Sequence, residues 1–378
     1  MYNSSLSSKG VGASGDVPVF RVVSLTFLAA GIVIANSVVL LTYLRHQTVR
    51  KHVPNLIIFH LAVADFVVGC WILPLQVAEN IKGRWIFGEV LCKIYLTVVY
   101  WITSMHAVII ICLTLQRRLA IAKQTKHRSL LGHVNVTIAL VISWIVVLAF
   151  FIFVVFVWPL MTQTRNINYE NDCAGEFRAS LGFTIFLGIA YCALPCATLV
   201  ALCVNLTRKL YLRSLVNRRV HALVELKDSR SQSPVYSIEL ERDAEGPRDP
   251  QRKAPPRPAT QAVSSRGNDN SRSAPSQGEE RVRDQETGRG LRRYLKAYVL
   301  LAVLVTFYLL SWLSVATYNS ISFICASCDE RSVKFYSDMV LFGNSLINPF
   351  LYAATNVHFR KGFIRVLDFP RRLCRREK

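Results

Sequence analysis

Residues Val134–Thr164 read VNVTIALVISWIVVLAFFIFVVFVWPLMTQT, a run without one charged side chain. As an α-helix it exceeds the roughly 20 apolar residues that cross a bilayer. Outward from it, uncharged stretches recur at Val22–Leu44, Ile94–Leu115, Ala179–Thr207 and Ala297–Cys328, the second holding one histidine. Val53–Gln76 and Phe335–Val357 are interrupted by one acid each, Asp65 and Asp338. Seven spans result, so the expected fold is all-α, a seven-transmembrane helix bundle. The strands of a β-barrel would alternate and be about half as long.

The 378 residues are 52% hydrophobic yet carry 45 Lys+Arg against 24 Asp+Glu, a net charge of +21. These features coexist because the charges are segregated. The gaps after spans one, three and five plus the C-terminal tail hold 36 of the 45 basic residues. Lys and Arg accumulate on the cytoplasmic side of span ends, so the N-terminus is expected outside and the C-terminus inside, in the plasma membrane. The basicity thus reads as orientation and contact with the lipid bilayer, not as nucleic-acid binding. No metal-ligand spacing, nucleophile motif or phosphate loop points to an enzyme, a metal or a cofactor.

Residues 1–19 hold no apolar core, so the first span is expected to direct insertion itself. Asn3-Ser4-Ser5 is a glycosylation acceptor on the outer side. Cys92, Cys173, Cys325 and Cys328 map to the oxidising outer face, where four cysteines allow three pairings. The economical reading closes Cys325 on Cys328, three residues away, and leaves Cys92 to tether Cys173.

The expected organisation is an extracellular N-terminus over 1–20, spans one to five over 21–206, a third cytoplasmic loop over 207–296, spans six and seven over 297–354, and an inner tail over 355–378. The long loop turns abruptly to Arg, Ser, Pro, Gly, Gln and Glu and reads as largely disordered. Its start differs, since Leu210, Leu212, Leu215, Val216, Val220 and Val224 continue an apolar helical pattern, so span five should project beyond the membrane. In the tail, Phe359, Phe363, Val366 and Leu367 recur among Arg360, Lys361 and Arg365, the pattern of a short amphipathic membrane-surface helix. Cys374, between two Arg pairs, is an acylation candidate.

Several motifs resemble those of rhodopsin-like G-protein-coupled receptors. Asn348-Pro349-Phe350-Leu351-Tyr352 is similar to their seventh-helix motif, Leu61-Ala62-Val63-Ala64-Asp65 to their second-helix signature, and Asn36 to their first-helix asparagine. Trp85-Ile86-Phe87-Gly88, Cys92 and Trp312 complete the match, and Cys325-Ala326-Ser327-Cys328 resembles the loop disulfide of muscarinic and histamine receptors. The resemblance spans about 20–225 and 292–370 and is closest in scaffold to the aminergic branch.

The resemblance implies an extracellular small-molecule ligand, a biogenic amine or another cation, in an outward-facing cavity lined by Val99, Tyr100, Thr103, Leu187, Tyr191, Trp312, Val315, Asn319, Asp338 and Phe342. It implies an interior polar switch of Asn36, Asp65, His106, Asn344, Ser345, Asn348, Pro349 and Tyr352. It further implies a heterotrimeric G protein contacted by Arg117, Arg118, Lys123 and Lys126, with arrestin and receptor kinases as further partners. Bends at Pro195 and Pro349 would let the inner helix ends move.

Four departures bear on mechanism. The amine-binding aspartate of the branch is replaced by Val99. Arg117 is flanked by Gln116 and Arg118 where an acid and a tyrosine are usual, and Ser314 stands where span six of the family has a proline. His106 replaces the serine that, in the resembled family, helps the second-helix aspartate hold sodium. Asp338, near the cavity mouth, could replace the missing anchor or could stabilise its helix end and pair with Lys334. The departures keep a second reading open, a receptor-like protein that signals without an external ligand or modulates a partner receptor. A membrane transporter is a third reading, disfavoured because the spans show no internal repeat.

Overall fold

The computed structural model describes residues 19–122, 132–163, 167–231, 298–318 and 330–367. It divides into two compact units, Met1–Lys209 with Arg293–Lys378, and Leu210–Arg292. Within the second unit the described residues, 210–231, are helical.

Seven long helices and one short one account for nearly all the described chain. They are α1 (Val19–Arg45), α2 (Val53–Lys82), α3 (Gly88–Ala122), α4 (His133–Thr162), α5 (Leu181–Gly188 and Leu194–Ser231 joined by a wider turn), α6 (Tyr298–Tyr318), α7 (Glu330–Thr355) and α8 (Val357–Leu367). The first six are long and apolar enough to cross a membrane. α7 is less apolar because its first turns carry Glu330, Arg331, Lys334 and Asp338. The helix expected to extend span five does so, reaching Ser231.

Among the described residues, three helices widen into one π turn each, at Val68–Ile72, Phe153–Val157 and Ile189–Ala193. Each precedes a proline, at Pro74, Pro159 and Pro195. Proline offers no N–H to the carbonyl four residues earlier, and that residue is Cys70, Val155 or Tyr191, the middle of each π turn. The expected irregularity at Pro195 is therefore one of a set of three. The third puts Tyr191 on an expanded turn.

The core of the first unit is apolar and threaded by a few paired polar groups. Leu25, Leu28 and Ile32 of α1, Ala64, Val68 and Ile72 of α2, Tyr95, Leu96 and Ile102 of α3, and Phe335 and Phe342 of α7 pack as one cluster. α2, α3 and α4 are further joined where Trp101 Nε1 donates to the Trp144 carbonyl at 3.0 Å and Trp144 Nε1 donates to His60 Nδ1 at 3.1 Å. Many large apolar side chains of α1 and α4, among them Phe27, Ile34, Ile145 and Val146, are exposed, as lipid-facing positions require. Asn356 separates α7 from α8 and donates to Asn55 Oδ1 at 2.8 Å. Phe359 is fully buried, and Gly362 brings the α8 backbone against Thr42 of α1, where a Cβ would lie 2.2 Å from Thr42 Cγ2.

Candidate functional site

The site begins with the chain between α4 and α5. Cys92, in the first turns of α3, is disulfide-bonded to Cys173. This holds Phe177, four residues on, over the bundle, where it is 5% exposed. Trp85 is fully buried, with Nε1 donating to the Gly88 carbonyl and its backbone N–H to the Asn171 carbonyl, both at 2.9 Å. Tyr169, in the same loop, meets Glu176, and burial together with that carboxylate pushes its phenol well above the ordinary range.

Phe177 caps an aromatic cluster. Tyr100 stacks on Phe151 at 5.6 Å and meets Phe177 and Tyr191 edge-on at 5.7 and 5.8 Å. Tyr191 in turn meets Trp312 of α6 edge-on at 4.7 Å, and its hydroxyl hydrogen-bonds Thr103 of α3. Thr103 also donates to the Val99 carbonyl at 2.6 Å. The edge-to-face geometry suits the positive rim and negative face of each ring. Four expected cavity residues, Tyr100, Thr103, Tyr191 and Trp312, are thus brought into contact across α3, α5 and α6.

The remaining expected cavity residues fall around this cluster. Leu187 packs with Phe151, Val154 and Phe177. Phe342 is 2% exposed on α7 in the core cluster, against which Val99 packs. Val315 is half-buried on α6. Asp338 is half-buried and accepts from Gln76 Nε2 of α2 at 3.0 Å. Lys334 makes an ion pair with Glu79 of α2 at 3.6 Å and also lies close enough to Asp338 to interact with its carboxylate. Asn319 lies outside the described residues, as do Cys325, Cys328, Asn3, Lys123, Lys126 and Cys374. Sequence reasoning missed Gln76, Glu79, Phe151 and Phe177. The only advance signal was a polar Gln76 closing an apolar span and Phe177 lying so near a cysteine.

Below the aromatic cluster lies a buried polar network. Asp65 is fully buried, with Oδ1 2.7 Å from His106 Nε2 of α3 and Oδ2 accepting from Asn348 Nδ2 of α7 at 2.8 Å. Pro349 cannot donate to the Ser345 carbonyl, and Asn36 Nδ2 of α1 supplies the missing donor at 3.1 Å. Asn36 also donates to the Ile32 carbonyl at 3.0 Å. α1, α2, α3 and α7 are therefore pinned to one another at one level by side chains that hydrocarbon would penalise if left unpaired. Asn344 is also buried near this level, its Oδ1 without a partner among the described residues. Tyr352 is fully buried one turn beyond Asn348 and faces Phe359 of α8 at 6.1 Å.

At the other end of α3, Arg117 and Arg118 are half-buried. Among the described residues no carboxylate lies within ion-pairing distance of Arg117, and Gln116 Oε1 is buried without a hydrogen-bond donor.

Comparison with known proteins agrees with this architecture. The profile described as 7 transmembrane receptor (rhodopsin family) matches residues 35–352. The chain is 23% identical to the octopamine receptor beta-1R of Drosophila melanogaster, over 91% of this chain and 61% of that one. It is 24% identical to the histamine H2 receptor of Canis lupus familiaris, over 57% of this chain and 60% of that one. A probable G-protein coupled receptor of Amphibalanus amphitrite, No9, is 23% identical over 96% and 88% of the two chains. The chain thus spans less than two thirds of the length of the octopamine relative. A profile match across most of the chain, on a bundle of seven long helices with the Cys92–Cys173 disulfide and the buried Asp65 network in place, establishes that this multi-pass membrane protein belongs to the rhodopsin family of seven-transmembrane receptors.

Proposed function

We propose that the protein is a cell-surface receptor, N-terminus extracellular and C-terminus cytoplasmic, that binds an extracellular small molecule, a biogenic amine or another cation, and activates heterotrimeric G proteins. The observation that carries this reading is Asp65, fully buried and hydrogen-bonded to both α3 and α7. It lies between an outer aromatic site and an inner end bearing Arg117, so a ligand that shifts α3 against α7 has a polar junction to rearrange. A ligand moves such an equilibrium only by its differential affinity for the two arrangements. Tyr191 and Trp312 give a ligand contact with α5 and α6 at once, and the π turn before Pro195 gives α5 a place to deform. Relatives named for octopamine and histamine favour a small amine.

In this reading Arg117 and Arg118, with Lys123 and Lys126, meet the G protein, and arrestin and receptor kinases act on the same face. Asn3 carries glycan, Cys325 pairs with Cys328, Cys374 is acylated, and the sections 1–20, 21–206, 207–296, 297–354 and 355–378 serve as assigned above. The test is expression with a panel of G-protein biosensors, with and without a library of small molecules. A ligand-dependent signal in at least one biosensor is expected, lost in Asn348→Ala at matched surface expression. Silence in every biosensor overturns the reading.

A second reading is favoured by Val99 and by the absence, among the described residues, of a carboxylate beside Arg117: a receptor that signals without an external ligand or modulates a partner receptor. A biosensor signal that is present without ligand and unchanged by every library member selects it.

A further inference from the structure

Two thiols share one face of α5 where its expanded turn meets the regular helix. Cys192 lies in the π turn Ile189–Ala193, and Cys196 lies in the segment that begins at Leu194. Residues four apart on a helix are neighbours, and these two touch, the Cys196 thiol donating a hydrogen bond to the Cys192 sulfur. Both are free thiols and half-buried. Tyr308 of α6 is 2% exposed and brings its hydroxyl beside both sulfurs. Among the described residues no further His, Cys, Asp or Glu joins the pair as a third ligand. Cys203, the next thiol of α5, stands seven residues beyond Cys196 and so about 10 Å further along the axis.

The spacing decides between two uses of such a pair. Cβ atoms four residues apart on a helix are about 5–6 Å from each other, whereas a disulfide needs about 3.8 Å. Closing that bond would distort the helix. Two sulfurs on one metal ion are instead separated by about twice a metal–sulfur bond, which is about 2.3 Å for zinc. Rotation of the two side chains reaches that separation with the backbone unmoved.

We propose that Cys192 and Cys196 form a two-coordinate site for a soft monovalent metal ion, of which cuprous ion is the representative. Thiolate sulfur selects such an ion over hard cations, and zinc would need four ligands where the pair offers two. Binding releases both thiol protons to solvent, so one cation and two thiolates leave a single negative charge. The Tyr308 hydroxyl is placed to donate a hydrogen bond to that charge, which makes it a positioning residue. Cys192 follows Tyr191 and Cys196 follows Pro195, so a bound ion bridges the two residues whose backbone hydrogen bond the proline removes. The site stands apart from whatever the protein binds at Tyr191 and Trp312.

The test uses the purified, reduced, full-length chain in nanodiscs under anaerobic buffer. Cuprous ion is titrated against a coloured cuprous chelator, and affinity is read from the competition. The native chain should keep an ion that the chelator removes far more readily from Cys192→Ser and from Cys196→Ser. Loss of an outer hydrogen-bond partner weakens metal binding about 10–100-fold, so loss of a ligand should weaken it on the order of 100-fold or more. Tyr308→Phe should weaken it about tenfold, and Cys203→Ser should leave it unchanged. A second measurement needs no variant. On the native chain, cuprous ion should protect Cys192 and Cys196 together from a small maleimide, located by mass spectrometry, and leave the exposed Cys70 reactive. Magnesium ion should protect neither. An ion that the chelator strips at once, retention unaffected by both serine variants, or protection of one thiol without the other overturns the site. Such a failure leaves the receptor reading standing.

Discussion

His106 bridges an acceptor and an acid: its Nδ1 lies 2.8 Å from the Ile102 carbonyl and its Nε2 lies 2.7 Å from Asp65 Oδ1. A carbonyl oxygen only accepts, so Nδ1 carries a proton. Nε2 then shares the next proton with Asp65, and the pair is neutral overall whichever atom holds it. Without that proton, a nitrogen lone pair would face a carboxylate in a buried site. The pair is thus self-contained, and the charge of Asp65 is balanced from within the bundle.

The first prediction concerns that balance. Where resembled receptors use a sodium ion and a serine beside the aspartate, this chain has an imidazole. Basal and ligand-dependent signalling of the native protein should be unchanged when sodium is replaced by a large organic cation, and His106→Ser should become sodium-sensitive. His106→Ala should also cost about 3–5 kcal/mol of stability by orphaning a buried charge, read as a lowered thermal midpoint. A native protein with steep sodium dependence contradicts the argument.

Arg117 gives the second prediction. With no carboxylate beside it among the described residues, no charge-assisted hydrogen bond holds its guanidinium in one arrangement. We predict measurable ligand-independent signalling, reduced by Gln116→Asp, in biosensor cells at equal surface expression. Equal basal signals from the native protein, Gln116→Asp and empty cells would sink this idea.

The outer disulfide carries the third. Cys92 and Cys173 are separated by 81 residues, and the bond both restricts that loop and holds Phe177 over Tyr100. Cys92→Ala should cost about 2–5 kcal/mol of stability. Phe177→Ala should weaken ligand binding while leaving the bond intact. A normal thermal midpoint in Cys92→Ala, or unchanged ligand affinity in Phe177→Ala, would count against the corresponding half.

The fourth concerns α8. A side chain at Gly362 meets Thr42, whose branched Cβ gives it little freedom to move. Gly362→Val should therefore cost about 1–3 kcal/mol through overpacking and release α8 from α1. Accelerated hydrogen exchange or proteolysis confined to α8 is the expected signature, relieved by the double variant with Thr42→Ala. Undiminished protection of α8 in Gly362→Val would refute the close-contact account.

Much of the site was legible before its geometry. Asp65, Asn36 and Asn348 stand out because a polar group in hydrocarbon is costly, so its presence in an apolar run is a signal by itself. Pro195 announced an irregular turn, but Pro74 and Pro159 carry the same information, and all three π turns follow from the missing proline N–H. Phe151 gave no such signal, and Phe177 only its nearness to Cys173. An aromatic residue in an apolar span or loop looks the same whether it faces lipid, core or cavity.

The sequence by itself determined the seven spans. They follow from length and from the cost of burying charge in lipid, both additive along the chain. Only the tertiary structure decided partners: that His106 faces Asp65, that Asn36 answers the carbonyl freed by Pro349, that Lys334 pairs with Glu79 and that Gln76 donates to Asp338. Hydrogen bonds and ion pairs act over a few ångströms between residues as far as 311 positions apart, and which side chains come that close depends on how the helices rotate and pack.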